Sequence, residues 1–536
     1  MKIAGLDIGT TGCKCTVFNE HGTYMGKAYR DYPVKRYTDS HEIDVSVIMD
    51  AVYEVIKEMT AQYPDIAGIG VTSFGETFVL TDEDGTPLHK AMLYTDPRGR
   101  EECRKLREKL GAEAIAQVTG LRPHEMYSIS KLMWMKKNRP DVYEKAAHAF
   151  LMEDYVVFHL TGVAQIDYSL ATRTMAFDIR NLCWSREVLE AAGIEERLFS
   201  RAVPTGTAAG TVTPEAAVCT GLAPETVIVS VSHDQVAAAV GAGAFDGETA
   251  VDGAGTVECL TPVYDAMPDI NVMYQGYFSV VPYVIPEKYV AYAFSYTGGA
   301  LMQWCTDTLA KQEKLTAKEQ KLSVNSLLER EYAWQHNISQ STGKGEDNTE
   351  TQGVSQENSK EGLSEEVWES LIQNTDPSGL LVLPHFAGAA TPYMDTGSKG
   401  AVIGLTTATT TADLYRGCME GVVYEMYLNY KKLEGSGIHF EKLHATGGGA
   451  HSKVWMQMKA DVLDLPITAL KTVDAGTVGS AMLTGVAIGL FKNLEDAACH
   501  MVEETTTYYP RKEKHEKYMR IYERYEKVYE AVRPLV

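Results

Sequence analysis

The sequence is poor in the features that mark membrane, secreted and nucleic-acid-binding proteins. No stretch approaches about eighteen uninterrupted apolar residues, so a membrane span is not expected. Its nine cysteines stand singly apart from Cys13 and Cys15, and no second Cys or His cluster completes a metal site around that pair. Reduced thiols buried on a strand are the expectation there. Positive charge is scarce: 50 Lys and Arg face 72 Asp and Glu, a formal net charge of -22. That balance argues against nucleic acid or an anionic membrane as partner. It also repels anions at long range, so an anion site has to work locally, through backbone N–H groups, helix ends and a bound cation. The opening Met1-Lys2-Ile3-Ala4-Gly5-Leu6 lacks the apolar run and small-residue cleavage site of a signal peptide, which makes the cytoplasm the expected compartment.

What is present is an ordinary globular composition, 45% hydrophobic and 23% charged. At 536 residues the chain is too long for one core, so two domains are expected. Lys2 to Phe18 reads as strand, glycine turn, strand about Asp7-Ile8-Gly9-Thr10-Thr11-Gly12. The stripe Val47, Ile48, Ala51, Val52 and Ile56 predicts a helix from Val45 to Thr60. Strands are predicted at Ile66 to Val71 and Phe78 to Thr81, and strands and helices alternate from there to Gly241. A second run begins near Gly247, where Glu248 to Thr256 again leads a strand into a glycine-threonine turn. Two such turns, one opening each half, suggest duplicated α/β domains at 1–243 and 244–500 that face the same phosphates. Residues 311–364 are rich in Glu, Lys, Gln, Ser and Asn, and read as a charged helix followed by a flexible insertion. Gly343-Lys344 within it lacks the strand and preceding glycine of a phosphate loop. The C-terminal 501–536 reads as a helical extension, with Tyr518, Tyr522, Tyr525 and Tyr529 as a stripe packed on the domain.

Three segments carry the candidate chemistry. In the first turn, Gly9 and Gly12 permit close backbone approach, Thr10 and Thr11 offer hydroxyls and amides, Lys14 adds positive charge, and Asp7 could hold a Mg²⁺ water; a plain glycine hairpin fits equally well. Asp234 and Gln235 follow the apolar strand Val227 to Val231, at the carboxyl end where α/β proteins place ligands; Asp234 could instead cap the Ala-rich helix that follows. Gly447, Gly448 and Gly449, with Ala450 and Ser452, open a helix, and three glycines in a row point to a flat or anionic ligand.

Together these residues resemble the FGGY family of carbohydrate kinases, over nearly the whole chain apart from 311–364. Met126 to Asn138, around Lys131-Leu132-Met133-Trp134, is similar to the first family signature, and Gly400 to Glu420 is similar to the second, with departures at Gly417 and Cys418. The resemblance implies two actin-like, ribonuclease H-like domains with the active site in the cleft between them, and ATP with Mg²⁺ as donor. Asp234 is implied as the general base and Asp7 as the carboxylate for Mg²⁺ and acceptor. Thr10, Thr11, Lys14, Gly255 and Thr256 match the two phosphate-contacting turns. Gly299 and Gln303 match nucleotide contacts, and Gly448, Gly449, Ala450 and Ser452 the adenosine loop. Gly75, Glu76 and Gln235 fall where the family places acceptor contacts.

The acceptor implied is a sugar or polyol. Ser73-Phe74-Gly75-Glu76-Thr77 matches neither the Met-His-Gly of xylulokinases nor the Arg-Glu-Thr of glycerol kinases, and Gly75 in place of that arginine suggests room for a larger acceptor than glycerol. A pentulose such as xylulose leads, with tetritols, gluconate, glycerol and deoxysugars behind it. Asp96 and Arg98 are structural or acceptor-binding, a homodimer is left open, and an actin- or chaperone-like ATPase and a sugar-sensing regulator are the rivals from other classes.

Overall fold

The computed structural model describes residues 1–342, 363–472 and 474–536. The N-terminal half is built on β1 (Lys2–Ile8), β2 (Gly12–Asn19), β3 (Tyr24–Asp31), β4 (Ile66–Ser73), β5 (Thr207–Thr211) and β6 (Val227–His233). They lie in the order β5-β6-β4-β1-β2-β3. The β1–β2–β3 pairs are antiparallel, whereas β4 runs parallel to β1 and β6 parallel to β4. Ile3, Ala4, Leu6 and Ile8 of β1 are all buried, as expected of a central strand covered on both faces. One cover is α1 (Val45–Gln62), packed on β2 and β3. Its Ile48, Val52, Val55 and Ile56 are fully buried, each stabilising by about 1.5–3 kcal/mol, and Asp44 caps its first turn by accepting from the Ser46 amide. The same half carries α2 (Ser128–Asn138), α3 (Tyr168–Thr172) and α4 (Asp234–Gly241).

The C-terminal half repeats the plan with β7 (Thr249–Ala254), β8 (Glu258–Tyr264), β9 (Ser279–Pro282), β10 (Tyr289–Ser295), β11 (Lys442–Thr446), β12 (Ile467–Leu470) and β13 (Glu504–Tyr508). The order is β9-β10-β8-β7-β11-β12-β13. Again a three-strand antiparallel meander, β10-β8-β7, continues into two parallel strands, β11 and β12. The two glycine-threonine turns occupy equivalent places, after β1 and after β7, so the duplication suggested by their sequences is present in three dimensions.

The helices of this half are α5 (Gly299–Thr308), α6 (Lys311–Glu319), α7 (Val324–Thr342), α8 (Glu365–Asn374), α9 (Thr411–Gly435), α10 (Lys453–Leu463), α11 (Ala475–Ala487), α12 (Lys512–Tyr525) and α13 (Val528–Val532). Two expectations are corrected here. The segment 311–364 is not a flexible insertion over its described part: α6 and α7 bury Ala317, Leu327, Leu328, Tyr332 and Ala333, and α7 packs on α8 and α9. The polar residues around them hid these few apolar positions in the sequence. His336 Nε2 lies 2.7 Å from Asp413 Oδ1, and Asn337 Nδ2 donates to Thr375 Oγ1 at 3.1 Å. The Gly343-Lys344 pair lies outside the described residues. The supposed extension 501–536 begins as β13, an edge strand of the sheet, before α12 and α13. Its tyrosines are buried as expected: Tyr518 OH accepts from Arg416 at 2.7 Å, and Tyr529 OH donates to Asp395 at 2.9 Å.

The halves meet where α11 crosses from the C-terminal side onto β1, β4 and α4. Small residues make this possible. A Cβ on Gly241 would lie 1.9 Å from the Ala475 carbonyl, and one on Gly479 would lie 1.9 Å from the Ala237 carbonyl. Ser480 Oγ donates to the Gly70 carbonyl at 2.7 Å, and a Cβ there would also collide with α11. The two helices thus touch backbone to backbone, and the segment before each opens on the cleft. Among the described residues no helix is long and apolar enough to cross a membrane.

Candidate active site

Asp7 stands near the end of β1 and Asp234 directly after β6, on either side of β4, so their backbones are two strand spacings apart, roughly 10 Å. Lys14 pairs with Asp7 across the β1–β2 ladder, its Nζ 3.1 Å from Asp7 Oδ2. The same Nζ lies 2.9 Å from Oδ1 of Asp474, just before α11, and so ties the two domains together at the site. Burial raises the Asp7 carboxyl to about 6, against the pull of Lys14 and with help from the charge on Asp234. Asp234 is also pushed up to about 6 by burial, with the Gln235 N–H groups holding it down. Its Oδ1 is buried without a hydrogen-bond partner, while 34% of the side chain as a whole is exposed. The capping role open to Asp234 is not used: the N-cap of α4 is His233, and Asp234 is the first helical residue. His233 Nε2 sits 3.3 Å from Asp234 Oδ1, and burial, with Arg173 nearby, pushes the imidazole down to about 3, which leaves it neutral.

The acceptor side joins Glu76 to Arg173, which no sequence pattern singles out. Glu76, held at φ 62, is buried, and its Oε1 accepts from Arg173 Nε at 2.6 Å and also from Nη2. Arg173 follows α3. Its Nη1 donates to Ser279 at 3.1 Å, and its guanidinium lies 5.3 Å from the Tyr127 ring and 5.8 Å from that of Tyr292. A Cβ on Gly75 would come within 2.9 Å of Arg173 Cγ. The expectation that Gly75 leaves room for a larger acceptor is therefore not met: the space is filled by an arginine from elsewhere in the chain. A lone Arg between two threonines carries no spacing signal, and only the fold brings it to Glu76. Asp96 is structural, for both its oxygens are taken by Arg98 and by the His41 amide.

On the C-terminal side, Gly299, Gln303, Gly448, Gly449 and Ser452 line one cavity of about 760 Å³, with α7 and α8 as its far wall. The three glycines differ in what requires them. Gly447 has φ 90 and a Cβ there would meet the Ala254 carbonyl at 2.7 Å, while Gly449 is pressed against Trp455 and Ala254. Only Gly448 faces open space. Ala450 turns into the core and does not line the cavity, contrary to expectation. Ser452 Oγ caps α10 by accepting from Trp455 N at 3.2 Å. Gly255 and Thr256 lie beside the cavity: Gly299 N donates to the Gly255 carbonyl at 2.9 Å, and Ala300 N to that of Thr256 at 3.0 Å. The two sides are joined through Thr446 Oγ1, which donates to the Thr472 carbonyl at 2.9 Å, two residues before Asp474. Thr10 is half-buried and Thr11 exposed in the turn between β1 and β2.

Two sheets of one plan, a glycine-threonine turn at the end of the first strand of each, and a buried carboxylate at a cleft define the class: a two-domain phosphotransferase of the actin-like type. A family model for the N-terminal domain of the FGGY family of carbohydrate kinases matches residues 2–241, and one for the C-terminal domain matches 254–488. The chain belongs to that family. It is 23% identical to a xylulose kinase of Bacillus subtilis, over 99% of this chain and 97% of that protein. It is 27% identical to a glycerol kinase of Symbiobacterium thermophilum, over 92% and 91%. The solved xylulose kinase from Rhodospirillum rubrum superposes with a TM-score of 0.82 at 22% identity, covering 100% of this chain and 99% of that one.

Proposed function

We propose that this carbohydrate kinase transfers the γ-phosphoryl group of ATP to a hydroxyl of a neutral ketose or polyol, with Asp234 as the base. Asp234 takes the hydroxyl proton as the acceptor oxygen bonds to phosphorus and the bond to the ADP oxygen breaks. The observation that carries this reading is the Asp234 carboxylate itself, set directly after β6 with its Oδ1 buried and unpartnered while a third of the side chain stays exposed. Lys14, with the Thr10–Thr11 and Gly255–Thr256 turns, would hold the phosphates, while Gly299, Gln303, Gly448, Gly449 and Ser452 would hold the nucleoside. Asp7 fits a Mg²⁺ carried in with the triphosphate. Among the described residues no group of three or more His, Cys, Asp or Glu could hold a metal, and Mg²⁺ of this kind needs only one or two carboxylates beside phosphates and water. Bound there, it would neutralise charge on the phosphoryl oxygens. ATP as donor and nine free thiols fit the cytoplasm.

A pentulose such as xylulose is the first acceptor to try, as two of the three named relatives are xylulose kinases. Glycerol or a tetritol is the second reading, supported by the arginine that Arg173 restores beside Glu76. A coupled ADP-release screen over pentuloses, hexuloses, tetritols, glycerol and gluconate separates them. ATP turnover that no acceptor stimulates would defeat the kinase reading in favour of an ATPase.

A further inference from the structure

The cavity beside Gly448 is walled by part of the segment read from sequence as a charged helix followed by a flexible insertion. α7 and the residue before it present Ser323, Asn325, Ser326 and Glu329 to the space that Gly448 faces from the other side. Arg330 fixes this wall, for its Nη2 donates to Glu365 at 2.5 Å and its guanidinium lies 5.4 Å from the Trp368 ring on α8. Met302, Met419 and Tyr415 supply soft, flat surfaces in the same cavity. Glu329 stands apart from its neighbours. Among the described residues no hydrogen bond or ion pair engages its carboxyl, and Arg416, whose charge acts on it, is committed to Glu420 at 2.8 Å and to Tyr518. A half-buried carboxyl that lines a cavity without a protein partner is left to pair with whatever fills the cavity.

We propose that Glu329 is the residue through which this chain reads the purine base of its nucleotide, with helix α7 as the base-side wall. The inference rests on the assignment of this cavity to the nucleoside. Withdrawal from water raises the Glu329 carboxyl to about 7, so that near neutrality its protonated form offers one donor and one acceptor. Adenine presents that complement on one edge, a ring-nitrogen acceptor beside the N6 amino donor. Guanine presents two donors on its corresponding edge, which suits an ionised carboxylate instead.

The test uses the full-length protein with Glu329→Ala and Glu329→Gln, measuring ADP and GDP binding by calorimetry and KM for ATP and for the acceptor. Glu329→Ala should weaken ADP binding and raise the KM for ATP by about five- to thirty-fold, the loss of one or two buried hydrogen bonds. The KM for the acceptor should stay unchanged. Glu329→Gln, which keeps one donor and one acceptor in the same shape, should hold ADP affinity within about three-fold and bind GDP less well than the unmutated protein does. Unchanged ADP affinity and unchanged ADP-to-GDP preference in both variants, with the unmutated protein binding ADP normally, overturns the proposal alone. Failure of the unmutated protein to bind ADP overturns the nucleotide assignment, and this proposal with it.

Discussion

Exchanging Arg173 for Met strips the buried Glu76 carboxylate of its guanidinium partner while keeping the reach of the side chain. Both groups are almost fully covered, at 6% and 4% exposure, so water cannot replace the lost bonds. Removing one partner of such a pair costs about 3–5 kcal/mol, since a bare charge is left in the interior. Glu76→Gln alone leaves the guanidinium without its counter-charge and is expected to lose a comparable amount. The double variant Glu76→Gln/Arg173→Met removes both charges, and its loss should be only about 0–1 kcal/mol. Urea unfolding of the four proteins at neutral pH closes this cycle, and a coupling of about 5 kcal/mol or more is expected. Activity should not follow stability: the double variant regains its fold but not its KM for the acceptor, because the acceptor loses the charged Glu76 carboxylate and the Arg173 guanidinium that orients it. Arg173→Met within about 0.5 kcal/mol of the unmutated protein would refute the buried pair as described. A double variant with normal acceptor KM would refute the placing of the acceptor beside Glu76.

Asp234→Asn should leave ADP binding nearly intact and lower kcat by about 10²–10⁴-fold; turnover near that of the unmutated protein would take the base role away from Asp234. Because burial lifts Asp234 to about 6, it is a base only above that pH, so kcat/KM should fall as pH drops through about 6. A profile flat to pH 5 would contradict this. Gly479→Ala places a methyl 1.9 Å from the Ala237 carbonyl, where backbone must move, and should destabilise by at least about 2 kcal/mol in urea unfolding.

Much of the frame was legible because it rests on local rules. The runs at Lys2–Phe18, Ile66–Val71 and Val227–Val231 are the central strands, and the helix expected at Val45–Thr60 ends two residues later. Asp7 and Asp234 stood out because a carboxylate directly after an apolar strand has few structural uses. What escaped depends on contacts between distant residues. Arg173 reaches Glu76 across 97 positions, and no pattern in either segment announces the pair. The same limit hid Lys459, which is fully buried between Asp252 at 2.7 Å and Glu258, behind the second glycine-threonine turn. The packing of α7 escaped for another reason: its buried Leu327, Leu328, Tyr332 and Ala333 are few among the charged and polar residues of 311–364. Gly75 misled because the missing side chain was read as empty volume.

The glycine contact between α4 and α11 also sets a lever. Gly241 lies seven residues along α4 from Asp234, and Gly479 lies five residues along from Asp474, so both arms measured from the contact are short, about 10 Å and 8 Å. A turn of roughly 10° about that point carries Asp234 by less than about 2 Å, whereas a surface three times farther out sweeps some 5 Å. Small residues at the crossing therefore let the outer walls travel while the reacting ends keep their register.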